Sequence, residues 1–110
     1  MDIDEIDYLI TAVKYDRMDQ LFEKVRTHEH MEDYAVGYPY PEEREAVLER
    51  LKEGKFYATL VSPEDDEFDY RVGKKVEAVE VEGQRFIRTD GEKVKRDYLE
   101  DVTIIKSEIP

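Results

Sequence analysis

One stretch of this chain, Pro41 to Gly54, carries the signals for both ends of a helix, and it limits what the rest can be. Pro41 suits a first helical position, Glu42 and Glu43 favour the positive N-terminal end, and Lys52 with Gly54 suits the C-terminal end. Val47, Leu48 and Leu51 form a single apolar stripe, which predicts that Arg44, Glu45, Glu49, Arg50 and Lys52 are largely solvated. A lone amphipathic helix must lie on something, and the segments around it read as strands.

Tyr8 to Tyr15 is rich in aromatic and β-branched residues and is followed by the turn-like Asp16-Arg17-Met18-Asp19, so we read a strand. Ile3, Ile6, Ile10 and Val13 also recur at helical spacing behind Asp2 and Asp4, which is the competing reading. Leu21 to His30 is expected to pair with this strand as a hairpin. Tyr34 to Pro41, with Gly37, Pro39 and Pro41, excludes regular helix or central strand and reads as a turn or loop. Lys55 to Val61 is apolar on both faces and suits the sheet centre. Ser62 to Gly73 reads as a long acidic loop carrying Glu64-Asp65-Asp66-Glu67-Phe68-Asp69.

The next hairpin has a defined register. With Glu82-Gly83 as a two-residue turn, Val81 faces Gln84, Glu80 faces Arg85, Val79 faces Phe86, Ala78 faces Ile87 and Glu77 faces Arg88. Two opposite-charge pairs and one aliphatic–aromatic pair then coincide, each contributing about 0.2 to 1 kcal/mol. Asp90-Gly91 is a further turn signal, Lys93 to Leu99 is irregular, and Val102 to Lys106 reads as a last strand. The expected fold is α+β and a single domain over residues 1–110. It is a mostly antiparallel twisted sheet or small open barrel of five to six strands, in the order β-β-α-β-β-β, with one amphipathic helix packed on it.

Three segments bear a family resemblance. Ile10-Thr11-Ala12-Val13-Lys14-Tyr15, then Gly54-Lys55-Phe56-Tyr57-Ala58-Thr59, then Val81-Glu82-Gly83-Gln84-Arg85-Phe86-Ile87-Arg88-Thr89-Asp90 resemble, in order and spacing, the prokaryotic family catalogued as domain of unknown function 3892. The resemblance runs from about Tyr8 to Leu99, and its last motif is the most specific. It departs after Asp97, where Tyr98-Leu99-Glu100-Asp101-Val102 stands in place of the family's Asn-Leu-Gly-type residues and Leu-Pro step. It implies a strand at Tyr8 to Tyr15 and one domain, and it implies no activity, cofactor or partner.

Composition narrows the function. Leu, Ile, Val and Phe supply 28 of 110 residues, above the level of about one fifth at which a charged chain stays disordered. No stretch approaches the ~20 apolar residues of a membrane span, and Met1 to Glu5 is unlike a signal-peptide start, so a cytoplasmic protein without membrane contact is expected. Cysteine is absent, which removes disulfides, thiolate chemistry and Cys-based metal sites. Asparagine is absent too, a profile seen with heat or salt adaptation. The net charge is −12, and the surplus lies outside residues 71–96, which are mildly basic. A distant polyanion is repelled, so nucleic acid is an unfavoured partner.

Candidate chemistry is sparse. His28 and His30 share a strand face and suit two metal ligands, with Glu32 or Asp33 as a third, against the reading of two half-exposed strand-end histidines. The serines, Ser62 and Ser107, sit in no nucleophile elbow, and the glycines fall into no phosphate-binding spacing. The Glu64 to Asp69 run lacks the pattern of a calcium loop. No catalytic residue and no cofactor are assigned. Arg85 and Arg88 are accounted for by Glu80 and Glu77, leaving Lys93, Lys95 and Arg96 as an anion-binding candidate. Tyr34, Tyr38 and Tyr40, held by Pro39 and Pro41, supply the aromatic area that interfaces favour, and are the partner-binding candidates. The expected function is a non-catalytic protein-interaction or regulatory module. The alternatives are an acidic nucleic-acid mimic that occupies a basic protein, and a metal-dependent enzyme using His28 and His30.

Overall fold

A computed structural model describes residues 3–32, 36–61 and 71–109. After a 3-10 turn at Ile3–Glu5 come β1 (Tyr8–Tyr15), β2 (Phe22–Glu29), β3 (Tyr40–Glu43), α1 (Arg44–Lys52), β4 (Tyr57–Val61), β5 (Arg71–Val81), β6 (Gln84–Arg88) and β7 (Thr103–Ile104). The strands form one mixed sheet in the order β3-β2-β1-β4-β5-β6. β1 runs parallel to β4 through Tyr8–Ile10 and parallel to β7 through Ala12–Val13, so two strands share its second edge. The other pairings are antiparallel. The sheet stays open, which decides between the two expected architectures, and among the described residues it has seven strands rather than five or six. No helix among the described residues is long and apolar enough to cross a membrane.

The strand at Tyr8–Tyr15 forms as expected, and a register shift against β2 between Ile10 and Ala12 explains its helix-like spacing. The extra residue, Thr11, lets Ile10 and Val13 both face the helix-side core although they are three apart. That core is built from Ile10, Val13, Val25, Val47, Tyr57 and Ile87 among others. A smaller one on the opposite face gathers Ile6, Leu9, Ala58 and Leu60, covered by Ile3 and Phe56. β1 is thus buried on both faces, each large side chain contributing about 1.5–3 kcal/mol.

The helix starts later than the sequence signals suggest. Tyr40–Glu43 is an edge strand paired with Lys24–Thr27, and Glu43, extended at φ −75° and ψ 151°, stands at the N-cap position of α1 without a side-chain capping bond. Pro41 therefore sits on a sheet edge, where a missing N–H is tolerated, rather than at a first helical position. Proline also pushes Tyr40 before it toward extended backbone. Arg44 and Arg50 are half-buried rather than solvated, because each meets a buried carboxylate. Val47 and Leu48 are buried as the stripe predicts, and Gly54 closes the helix at φ +91°.

The β5–β6 hairpin has the expected register at all five pairs, with Glu82 and Gly83 both at positive φ. The expected loop at 62–73 falls mostly outside the described residues, and Arg71–Gly73 already belongs to β5. The last strand shrinks to Thr103–Ile104.

Gly73 lies where β5 presses on buried Thr59. A Cβ there would collide with Thr59 Oγ1, which accepts the Lys74 N–H at 2.8 Å. Gly73→Ala is expected to lower stability by about 1–3 kcal/mol. Denaturant unfolding of the single variants and of Gly73→Ala with Thr59→Ala checks this. The double variant should lose less than the sum, and strict additivity would place the cost elsewhere.

Candidate functional site

Two buried carboxylates organise the interior. Asp97 lies in the irregular segment after β6 and is fully buried. Phe22 N–H donates to its Oδ2 and Ile87 N–H to its Oδ1, each at 2.8 Å, and the Arg44 guanidinium donates to both oxygens at 2.7 and 3.3 Å. Its backbone N–H donates to Gln20 O at 2.7 Å, and its carbonyl accepts from Tyr15 Oη at 3.0 Å. Burial pushes the Tyr15 phenol up from its ordinary range, which keeps it a donor. Asp97 thereby ties together the end of β1, the start of β2, the first turn of α1, and β6.

Glu42, the second, is carried inward by β3. Its Oε1 accepts from Thr27 Oγ1 at 2.9 Å and from Tyr57 Oη at 2.8 Å, while Arg50 pairs with Oε2. Tyr57 is fully buried, stacked on Tyr8 at 4.9 Å, and Arg50 lies over the Tyr8 ring at 5.0 Å. Desolvation raises the Tyr57 hydroxyl far above the ordinary phenol range, and the Glu42 carboxylate adds to the shift. The sequence marks Glu42 only as a helix-end residue, so its role depends on β3 forming.

The histidines bond to different segments. His28 Nδ1 is 2.9 Å from the Gly37 carbonyl, to which it must donate, and Nε2 is 3.0 Å from Thr11 Oγ1, which also accepts from Arg26 Nε at 2.8 Å. In the neutral ring this fixes the Nδ1–H tautomer, with the Thr11 hydroxyl donating to Nε2. His30 Nδ1 lies 2.8 Å from the Ile6 carbonyl. Among the described residues no three His, Asp or Glu side chains gather to hold a metal ion. Glu32 is exposed, and Asp33 lies outside the described residues.

Lys93, Lys95 and Arg96 do not converge. Lys95 pairs with Glu82 at the hairpin turn, whereas Arg96 donates to Asp19 O at 2.8 Å and lies over the Tyr15 ring at 4.9 Å; Lys93 is exposed. Arg88 is buried and forks onto Asp90, with both contacts at 2.7 Å, rather than onto Glu77, and it also donates to Arg96 O at 2.8 Å. The pairing with Glu77 is thus confined to the backbone register. Hydrogen bonding from Arg88 lowers the Asp90 carboxyl to about 2.

Of the aromatic candidates, Tyr34 lies outside the described residues and Tyr40 is half-buried on β3, its hydroxyl 3.4 Å from Arg50. Tyr38 is 95% exposed. A bridge between His30 and Val36, with Gly37 N–H bonded to Glu29 O at 2.8 Å, brings the returning chain alongside β2. Met31, 62% exposed, and Val36, 37% exposed, stand at this end with Tyr38. Three of the six exposed large hydrophobics of the described residues are therefore grouped here.

The cations that do converge are others. A groove of about 540 Å³ between the end of α1 and β5 is bordered by Lys52, Lys55, Lys75 and Arg85, with Leu51 and Val76 in its wall. The basic surplus of residues 71–96 contributes Lys75 and Arg85, but only folding brings Lys52 and Lys55 beside them. Comparison with family models, with curated proteins and with solved structures gave no match.

Proposed function

We propose that this chain is a non-catalytic interaction module that docks a protein partner on the β2–β3 end of its sheet. The observation that carries the reading is Tyr38, an aromatic ring standing almost wholly in solvent with Met31 and Val36 at the same end. Isolated exposed hydrophobics are ordinary, but a grouped set containing tyrosine has the composition of an interface centre. The reactive side chains are taken up within the fold: Asp97, Glu42, Tyr57 and His28 are engaged in hydrogen bonds there. The resemblance to the prokaryotic domain of unknown function 3892 family is part of the proposal and adds no activity; with it goes a cytoplasmic setting.

A photo-crosslinking amino acid at position 38, compared with one at exposed Glu92, tests the reading in native extract. Position 38 should yield a discrete adduct that Met31→Ser abolishes and that the control lacks. The same adducts at both positions, or none at position 38, would remove the proposal.

A further inference from the structure

β5 outruns its neighbour. β4 pairs with β5 only from Tyr57 opposite Val76 to Val61 opposite Arg71, while β5 continues to Val81 with β6 along one edge. Ahead of Tyr57 the chain leaves that lane. Lys55 N–H bonds back to Arg50 O, and the Phe56 carbonyl accepts from Asp7 and Tyr8. The far part of β5 therefore has an edge with no strand on it among the described residues.

The hairpin turn says which groups this edge presents. A two-residue turn with both residues at positive φ makes Val81–Gln84 a hydrogen-bonded pair, and alternation gives the same to Val79–Phe86 and Glu77–Arg88. The N–H and C=O of Ala78 and Glu80 then face away from β6. Their partners on β6 behave accordingly: Arg85 O accepts from Arg44 and Ile87 N–H donates to Asp97, both on the outer side of β6. One edge of the hairpin is thus capped by side chains and by the Tyr98 N–H, and among the described residues no strand lies on the other.

The groove beside that open edge runs against the charge of the chain. Lys52, Lys55, Lys75 and Arg85 border it, against Glu77 at its wall and Glu80 on the edge, in a protein of net charge −12. Among the described residues no ion pair engages Lys52, Lys55 or Arg85, and Lys75 lies over the Phe56 ring at 4.8 Å with Glu77 only at 4.0 Å. We propose that the open edge of β5 at Ala78–Glu80, with this groove, binds an extended acidic peptide segment of a partner as an added strand. Main-chain hydrogen bonds to Ala78 and Glu80 would hold the segment, and its carboxylates would meet the four cations. A polynucleotide has no amide backbone to pair with the edge as a strand, and the net charge repels it at range. This site is separate from the Tyr38 end.

The test is a titration of the isotope-labelled chain with a blocked octapeptide of alternating Glu and Val, followed by amide NMR. Shifts and slowed exchange are expected at Ala78 and Glu80, with affinity falling about tenfold or more between roughly 0.05 and 0.5 M salt. A peptide N-methylated at alternate residues, which cannot pair along one edge, and the Lys52→Glu/Lys55→Glu variant should each weaken binding by about tenfold or more. Equal affinity for the N-methylated peptide, tighter binding of an oligothymidylate, or dimerisation of the chain through Ala78 without peptide would each overturn the proposal. So would absence of binding at about 1 mM peptide. Shifts confined to Tyr38 would overturn it while leaving the docking reading of that end intact.

Discussion

Asp97→Ala is expected to lower unfolding free energy by about 3–5 kcal/mol, the scale seen when one member of a buried charged pair is removed. The substitution leaves the Phe22 and Ile87 N–H groups without an acceptor and strands the half-buried Arg44 guanidinium beside them. For a domain of this size each 1 kcal/mol shifts the melting temperature by about 4–8 °C, so the loss is visible in a simple thermal scan. Asp97→Asn separates shape from charge. Its amide nitrogen must face one of the donors that the carboxylate accepts from, so it should also destabilise, by about 2 kcal/mol or more. Denaturant unfolding measures both variants. A loss under about 1 kcal/mol for alanine would mean that Asp97 is a passenger rather than the tie between α1, β2 and β6.

Glu42→Ala should cost somewhat less, about 2–4 kcal/mol, for a different reason. It empties the acceptor of two buried hydroxyls, Thr27 and Tyr57, and leaves Arg50 facing the Tyr8 ring without its carboxylate. Because part of the penalty belongs to the partner left behind, removing both charges together is expected to be milder. Glu42→Leu with Arg50→Met should lose less than the two single variants combined, by at least about 1 kcal/mol. Equilibrium unfolding of the four-protein cycle measures the coupling. Zero coupling would contradict the view that β3 and α1 are joined through this pair.

What could be read from the letters was what local rules control. The β5–β6 register was legible because the turn chemistry at Glu82-Gly83 and the facing of Glu77 by Arg88 and Glu80 by Arg85 point to one register, although among the described residues neither pair closes as an ion pair. The apolar stripe of α1 was legible for the same reason. β3 was not, since Pro41 suits a helix start as well as a sheet edge, and the choice is made by β2, which supplies the hydrogen-bond partners. Nor could Asp97 or Glu42 be singled out among 29 carboxylates, because burial follows from several separate segments closing round them. The expected pairing of Arg88 with Glu77 failed to a nearer competitor: Asp90, two residues on, offers both oxygens to the guanidinium fork. The helix-like spacing of Ile10 and Val13 was a local signal that pointed the wrong way, and a single inserted threonine accounts for it.

The shared second edge of β1 has a consequence for the order in which this molecule can be made. Ala12 and Val13 pair with Thr103 and Ile104, 91 positions further along, and that part of the edge waits for them. The residues between them must therefore be made first, and until then the outer ladder of β1 at Ala12 and Val13 is bare. Long-separation pairings of this kind slow folding, since the loop must close before any contact rewards it. The acidic surplus that repels polyanions at the end of the process also keeps neighbouring unfinished chains apart while that ladder is bare.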